Sequence, residues 1–286
     1  MPPNERAASN PGMEHRPRRR FGQNFLYDPG TIRRILTAID PRPGDRLVEI
    51  GPGRGALTEG LLAAAGSLDA VELDRDLIGP LAGRLRGLGD LRIYSADALH
   101  FDLCTLAPTD GSERRLRLVG NLPYNISTPL LFRFLEQLTC IDDLHLMLQK
   151  EVVDRICADP GGKVYGRLSV MVQTWCRTER LFVIGPGAFQ PAPKVESALL
   201  RLKPHRPLPY PIENLNLHAR IVTAAFGQRR KTLRNSLRGL IDPRLLQVCD
   251  IDPSSRAETV SVAAFARLAN AAQGAAADGC KAVFKP

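Results

Sequence analysis

The residues with the clearest chemical potential stand in the run Gly120-Asn121-Leu122-Pro123-Tyr124. The side-chain oxygen of Asn121 and the backbone carbonyl of Leu122 can each accept one hydrogen of an exocyclic amine. Pro123 fixes the local φ and stiffens the turn. Tyr124 offers a flat face on which a base can stack, an interaction worth about 1–3 kcal/mol. Adenine's amine is a poor nucleophile because its lone pair is delocalised into the ring. Two acceptors beside an aromatic face can orient that amine and draw the lone pair toward a methyl donor. An activated sulfonium donor needs no general base before transfer, so positioning supplies most of the rate.

A second set of residues suits a nucleoside-containing cofactor. The spacing Glu49-x-Gly51-x-Gly53-x-Gly55 puts glycines at alternate positions after a short apolar run. A turn without Cβ atoms lets a ligand lie against the backbone. The dinucleotide fingerprint GxGxxG would end at Ala56, which its looser form tolerates, so this motif leaves a nicotinamide cofactor open. Glu72 follows Gly51 at the spacing of a ribose-binding acid, and Asp97 closes the next strand, where it can accept from an adenine amine. Phe189, in Phe189-Gln190-Pro191-Ala192-Pro193-Lys194-Val195, is expected to face the target base opposite Tyr124.

These residues need a frame. Asp28-Pro29 reads as a helix start, with apolar residues recurring at helical spacing through Ile39. Strands are expected at 46–50, 67–73, 91–94, 116–119, 144–148, 181–184 and 197–202. Helices are expected from Leu57 to Gly66, at 128–137, at 151–157 and at 166–176. Alternating strands and helices argue for an α/β fold with a mostly parallel, doubly wound sheet. Its last two strands have a connection short enough for a hairpin. The proline-rich stretch 203–211 reads as a linker to a small helical domain with helices at 218–226, 232–240 and 260–270. The expected division is a disordered basic tail (1–17), a catalytic body (18–204) and a helical, RNA-binding domain (205–286).

Charge follows that division. The chain has 286 residues and a net charge of +9. Residues 1–20 carry +3, residues 205–286 carry +6, and residues 21–204 are neutral. A neutral body with basic flanks suits a polyanion gripped at the periphery. No apolar run is long enough to span a membrane, and the polar start lacks a secretory core, so a cytoplasmic protein is expected. The six cysteines show no CxxC spacing and read as reduced thiols, with no metal site.

The chain resembles the small-subunit ribosomal RNA adenine dimethyltransferases, whose bacterial members modify 16S rRNA. The likeness runs from about Arg18 to Leu240. It is carried by Arg20-Phe21-Gly22-Gln23-Asn24-Phe25-Leu26, the Glu49–Gly55 turn, Glu72, Asp97, Asn121–Tyr124 and Phe189–Val195. It extends to Tyr165-Gly166-Arg167-Leu168-Ser169-Val170 and Arg229-Arg230-Lys231-Thr232-Leu233-Arg234-Asn235. It implies a Rossmann-like class I methyltransferase fold and S-adenosylmethionine as cofactor. It also implies two methyl transfers onto each of two adjacent adenosines near the 3′ end of 16S rRNA, within the small ribosomal subunit or its precursor. Asn24, Leu26, Gly51, Gly53, Glu72, Asp97 and Asn121 would then line the cofactor pocket, with Asn121, Leu122, Pro123, Tyr124 and Phe189 at the reacting base. For RNA contact the candidates are Arg18, Arg19, Arg20, Lys163, Arg167, Arg229, Arg230, Lys231 and Arg234, each adding phosphate binding rather than base choice. A monomer is expected. Competing readings are a ribosome-assembly factor or transcription-associated RNA binder that keeps the fold but has lost the activity, and a nicotinamide-dependent enzyme.

Overall fold

Asp28 starts the first helix as the sequence suggests: its carboxylate accepts the Thr31 amide at 2.6 Å, and Pro29 occupies the first turn. The computed structural model describes residues 24–108 and 114–282, the side chains of 276–282 excepted. The expected disordered tail therefore lies outside the described residues, as do Arg18, Arg19 and Arg20. In chain order the first half comprises β1 (Phe25–Leu26), α1 (Pro29–Ile39), β2 (Arg46–Ile50), α2 (Thr58–Ala65), β3 (Ser67–Glu72), α3 (Arg75–Arg84), β4 (Asp90–Ser95) and β5 (Leu116–Asn121). There follow α4 (Ser127–Leu135), β6 (Ile141–Gln149), α5 (Lys150–Ile156), α6 (Arg167–Trp175), β7 (Cys176–Ile184), β8 (Phe189–Gln190) and β9 (Ser197–Pro204). Four helices close the described chain: α7 (Leu215–Gly227), α8 (Leu233–Ser236), α9 (Pro243–Val248) and α10 (Val262–Ala282).

Seven strands form one sheet in the order β4-β3-β2-β5-β6-β9-β7. The first five are parallel, and β9 runs antiparallel between β6 and β7. The short connection read as a hairpin is indeed one, with β8 and the proline loop between its arms. Strand order reverses between β2 and β5, and a doubly wound sheet opens its ligand crevice at such a point, beyond the carboxyl ends of the strands. The central strands are buried on both faces, as β2 and β6 show, because helices cover both sides.

One face packs Leu118, Leu146 and Leu200 against α4; the other packs Leu47, Met147 and Leu199 against α1 and α2. Arg117 ties the second face together. Its guanidinium donates to the Ile39 carbonyl at 2.6 Å and pairs with Asp45 and Asp143, which satisfies the open carboxyl end of α1. A third core joins α7, α8, α9 and α10, and it recruits Tyr165 and Val170 from the segment before β7. Helix α6 thereby faces two cores at once, with Val170 in the helical one and Val172 under the sheet.

Several elements differ from expectation: the short strands β1 and β8 and the helices α3 and α9 were not expected, and β7 is longer than expected. Helix α3 carries Gly79, Pro80 and Gly83 and buries only Leu77 and Leu81, so its pattern gives no periodic signal. Strand β7 begins five residues before the expected 181, because its early residues are edge positions with alternating exposure. The reading of six reduced thiols also needs correction. Cys104 and Cys140 are disulfide-bonded, their Cα atoms 5.4 Å apart across 36 residues of sequence. Pairing depends on distance in space, and the turns Leu103–Leu106 and Leu138–Cys140, joined by the Leu103 amide donating to Gln137 Oε1, supply the closeness that spacing along the chain does not show. Cys157, Cys176 and Cys249 are free thiols.

Candidate active site

The switch point between β2 and β5 holds a cleft of about 280 Å³. Four of the five parallel strands deliver polar groups to it at or just past their carboxyl ends, and β6 adds Met147. From β2 come the glycine turn and Glu49, from β3 Glu72, from just past β4 Asp97, and from β5 Asn121.

In the turn Gly51, Gly53 and Gly55 all have positive φ, at +66°, +57° and +78°. Their environments differ. A Cβ on Gly55 would lie 2.4 Å from Leu81 Cδ1, and one on Gly53 would lie 3.2 Å from the Phe25 ring. A Cβ on Gly51 would meet nothing within 4 Å. Gly55 is therefore glycine for packing against α3, and Gly51 for a backbone left open at the cleft.

Glu72 is nearly buried, and its two oxygens accept the amides of Gly53 at 3.0 Å and Asp74 at 2.8 Å. Burial pushes its carboxyl up, and these backbone donors pull the other way. Each oxygen keeps a second lone pair for a ligand hydroxyl. Asp97 accepts the Leu99 amide at 2.9 Å through Oδ1 and lines the same wall.

Glu49 was missed as a functional residue. It is 3% exposed, lines the cleft floor, and its Oε2 has no hydrogen-bond partner. Desolvation, reinforced by the nearby Glu72 charge, pushes its carboxyl from 4.5 to about 7. Its place at the head of the glycine spacing, at the end of the mostly apolar run Arg46–Ile50, marks it as part of the turn, but nothing along the chain shows that its carboxyl is buried.

Asn121 donates through Nδ2 to the Asn24 carbonyl at 2.9 Å, which fixes the amide and leaves Oδ1 as its acceptor end. Asn24 and Leu26 stand beside it because β1 pairs antiparallel with β8, Leu26 opposite Phe189. Leu122 is buried, and its amide donates to the Met147 carbonyl at 3.2 Å. Pro123 and Tyr124 complete that wall. The Tyr124 phenol lies 2.5 Å from the Ser197 hydroxyl, and burial pushes its pKa up.

Phe189 is the correction. Its ring is 2% exposed and packs in the core with Leu26 and Leu199, and it does not line the cleft. Pairing with β1 turns its side chain inward, so it presents no face to a base. The aromatic and its prolines instead hold the segment Asn24–Leu26 against the site.

The remaining basic candidates all lie on the surface: Lys163, Arg167, Arg229, Arg230, Lys231 and Arg234 are exposed. Arg229 donates to the Lys163 carbonyl and sits 3.8 Å from Glu258, which brings those two stretches together at the helical core. The Arg167 guanidinium lies 5.9 Å over the Phe132 ring. Among the described residues, no group of three or more His, Cys, Asp or Glu could hold a metal ion.

The sequence also matches known proteins. Residues 14–274 match the family model described as ribosomal RNA adenine dimethylase. The ribosomal RNA small subunit methyltransferase A of Pseudomonas fluorescens is 54% identical over 257 residues, covering 90% of this chain and 94% of the relative. The protein of that name from Methylococcus capsulatus is also 54% identical, covering 90% and 98%. Among solved structures, a dimethyladenosine transferase from Plasmodium falciparum shares the fold with a TM-score of 0.73 at 24% identity, over 85% of this chain and 95% of that one. The 23S rRNA methyltransferase ErmE superposes with a TM-score of 0.69 at 26% identity, over 87% of this chain and all of the other. With the family model spanning nearly the whole chain and relatives this similar, the chain belongs to the ribosomal RNA adenine dimethylase family.

Proposed function

We propose that this protein transfers methyl groups from S-adenosylmethionine to the exocyclic amines of two adjacent adenosines near the 3′ end of 16S rRNA, two methyls to each. The substrate is the small ribosomal subunit or its precursor, which sets the work in the cytoplasm. Among the described residues no helix is long and apolar enough to cross a membrane. The protein acts as a monomer.

The observation that carries this reading is Asn121. Its amide nitrogen is committed to the Asn24 carbonyl, so its oxygen is the end offered to a substrate amine. The cofactor fits the rest of the cleft. The open backbone at Gly51 takes a ligand in direct contact, Glu72 accepts ribose hydroxyls, and Asp97 accepts from the adenine amine of the cofactor. When bound, S-adenosylmethionine supplies a sulfonium-activated methyl group.

The chain's own residues do the rest. The Asn121 oxygen and the Leu122 carbonyl each take one amine hydrogen, which orients the nitrogen lone pair away from the ring. Tyr124 stacks on the base. As the carbon–nitrogen bond forms and the methyl–sulfur bond breaks, releasing S-adenosylhomocysteine, the amine becomes cationic beside those two acceptors, and its extra proton then leaves to water. The monomethylated amine still offers one hydrogen to an acceptor and can lose a proton after a second transfer; the dimethylated amine offers none and has no proton to lose, which ends the cycle at two transfers. Lys163, Arg167, Arg229, Arg230, Lys231 and Arg234 bind phosphates around this site.

The test is tritium transfer from labelled cofactor to small subunits that lack the modification, followed by mass spectrometry of the 16S rRNA. Dimethyladenosine at two neighbouring positions is expected. No incorporation by the unsubstituted protein would overturn the reading.

A further inference from the structure

One contact at the cleft has no part in the chemistry above. The Tyr124 phenol and the Ser197 hydroxyl are 2.5 Å apart. Ser197 is fully buried at 0% exposure and is not a lining residue of the cleft, so it can touch the reaction only through Tyr124.

Its surroundings make it a fixed point. Ser197 opens β9, held in register by Gln149 of β6 on one side and Ile184 of β7 on the other. One residue earlier, the Glu196 carbonyl accepts the Lys150 amide at 2.9 Å. Tyr124 is less constrained by its own chain, since it lies in the turn between β5 and α4. The Ser127 hydroxyl holds its carbonyl at 3.1 Å, which anchors only the backbone end.

We infer that Ser197 is a positioning residue for methyl transfer: its hydrogen bond to the Tyr124 phenol fixes the plane on which the target base stacks. The inference rests on the proposed adenine methylation and deepens it. A tyrosine ring has two side-chain torsions, and the second is broad. A ring with nothing holding its tip can settle in more than one rotamer. With the backbone held by Ser127 and the phenol by Ser197, both torsions are set before substrate arrives. A preset ring avoids the ordering loss that a base would otherwise meet on docking. This also explains why a tyrosine serves where a phenylalanine would stack as well: only the phenol can reach a partner in β9.

The experiment compares Ser197→Ala, Tyr124→Phe and the double variant with the unsubstituted protein. Three quantities are read: tritium transfer to unmodified small subunits, S-adenosylhomocysteine affinity by calorimetry, and thermal melting. Each single variant should lose kcat roughly tenfold, equivalent to about 1.4 kcal/mol. The double variant should lose no more than either alone, because both remove the same bond. S-adenosylhomocysteine affinity should stay within twofold, and Ser197→Thr should recover most of the rate.

Singles within twofold of the parent, or losses that multiply in the double, would overturn the inference. If Ser197→Ala does not melt cooperatively, Tyr124→Phe decides alone, and a near-parental rate sinks the idea. The contact has its own readout, since the serine bond lowers the phenol pKa that burial raises. Ultraviolet titration should show the Tyr124 phenol ionising at higher pH in Ser197→Ala, and an unchanged titration would also overturn it. Absence of transfer by the unsubstituted protein would instead count against the proposed function.

Discussion

Asn121 has both ends of its amide committed in the proposed reaction. Its nitrogen holds the Asn24 carbonyl at 2.9 Å, and its oxygen is the end proposed to meet the substrate amine. Asn121→Ala removes both, so kcat should fall about 10²–10³-fold, the range for losing one positioned polar group. Filter binding of small subunits should change little, because the residues proposed to bind phosphate lie elsewhere; near-normal turnover would refute the amine orientation. Glu49 makes a prediction about stability. Its carboxyl is pushed from 4.5 to about 7 in the folded chain. Between those values the folded state keeps a proton that the unfolded state has released. Stability therefore falls as pH rises from 4.5 to 7 and levels off above. Glu49→Gln removes that loss and should be more stable than the parent at pH 8 by on the order of 3 kcal/mol, with the gap closing toward pH 4.5. Guanidinium denaturation at pH 5 and pH 8 reads this directly, and a gap independent of pH would exclude it. The polar residues at strand ends, Glu72, Asp97 and Asn121, were legible because polarity after an apolar run is unusual. Glu49 was not, since its burial depends on helices covering the strand. Phe189 was misread because an aromatic residue near a site does not reveal which way its strand turns it.

Among elements, the glycine turn separates two reasons for the same residue type. Gly55→Ala puts a Cβ 2.4 Å from Leu81 Cδ1 at a φ of +78°. It should destabilise the fold by roughly 1–3 kcal/mol through strain and overpacking against α3. Gly51→Ala meets no protein atom within 4 Å. It keeps only the smaller φ penalty, and its main effect should be weaker S-adenosylhomocysteine binding. Melting and calorimetry on the pair separate the two; equal stability losses with equal affinity losses would refute the distinction. The sequence revealed elements where a period or a cap was strong. Helix α1 announced itself through Asp28 and Pro29, and Gly66 closed α2 in the left-handed conformation. Helix α3 stayed hidden because its order comes from packing Leu77 and Leu81 on the sheet, against the preferences of Gly79 and Pro80. The two-residue pair β1–β8 was invisible for another reason. It is too short to carry a period and exists only because distant segments meet over the cleft.

At the scale of the whole molecule, charge and architecture agree. The basic carboxyl-terminal stretch folds onto Tyr165 and Val170, so the helical core is joined to the sheet through α6. Lys163 and the run Arg229–Lys231 are thereby brought together at that junction, tied by the bond from Arg229 to the Lys163 carbonyl. A polyanion gripped there releases counterions as it binds, and log affinity falls with log salt by about 0.7–0.9 for each phosphate neutralised. Replacing Arg230 and Lys231 together by alanine should weaken binding to small subunits and make that slope shallower by about 1.4–1.8. Arg42 supplies the comparison. It is equally exposed and pairs with Asp40 at 2.6 Å, but it precedes β2 and so lies at the amino ends of the strands, across the sheet from the cleft. Arg42→Ala should leave the slope within experimental error. Affinities measured between 50 and 300 mM salt for the parent and both variants give three slopes. A double variant as steep as the parent, or an Arg42 variant as shallow as the double, would remove the helical junction from the RNA-binding surface.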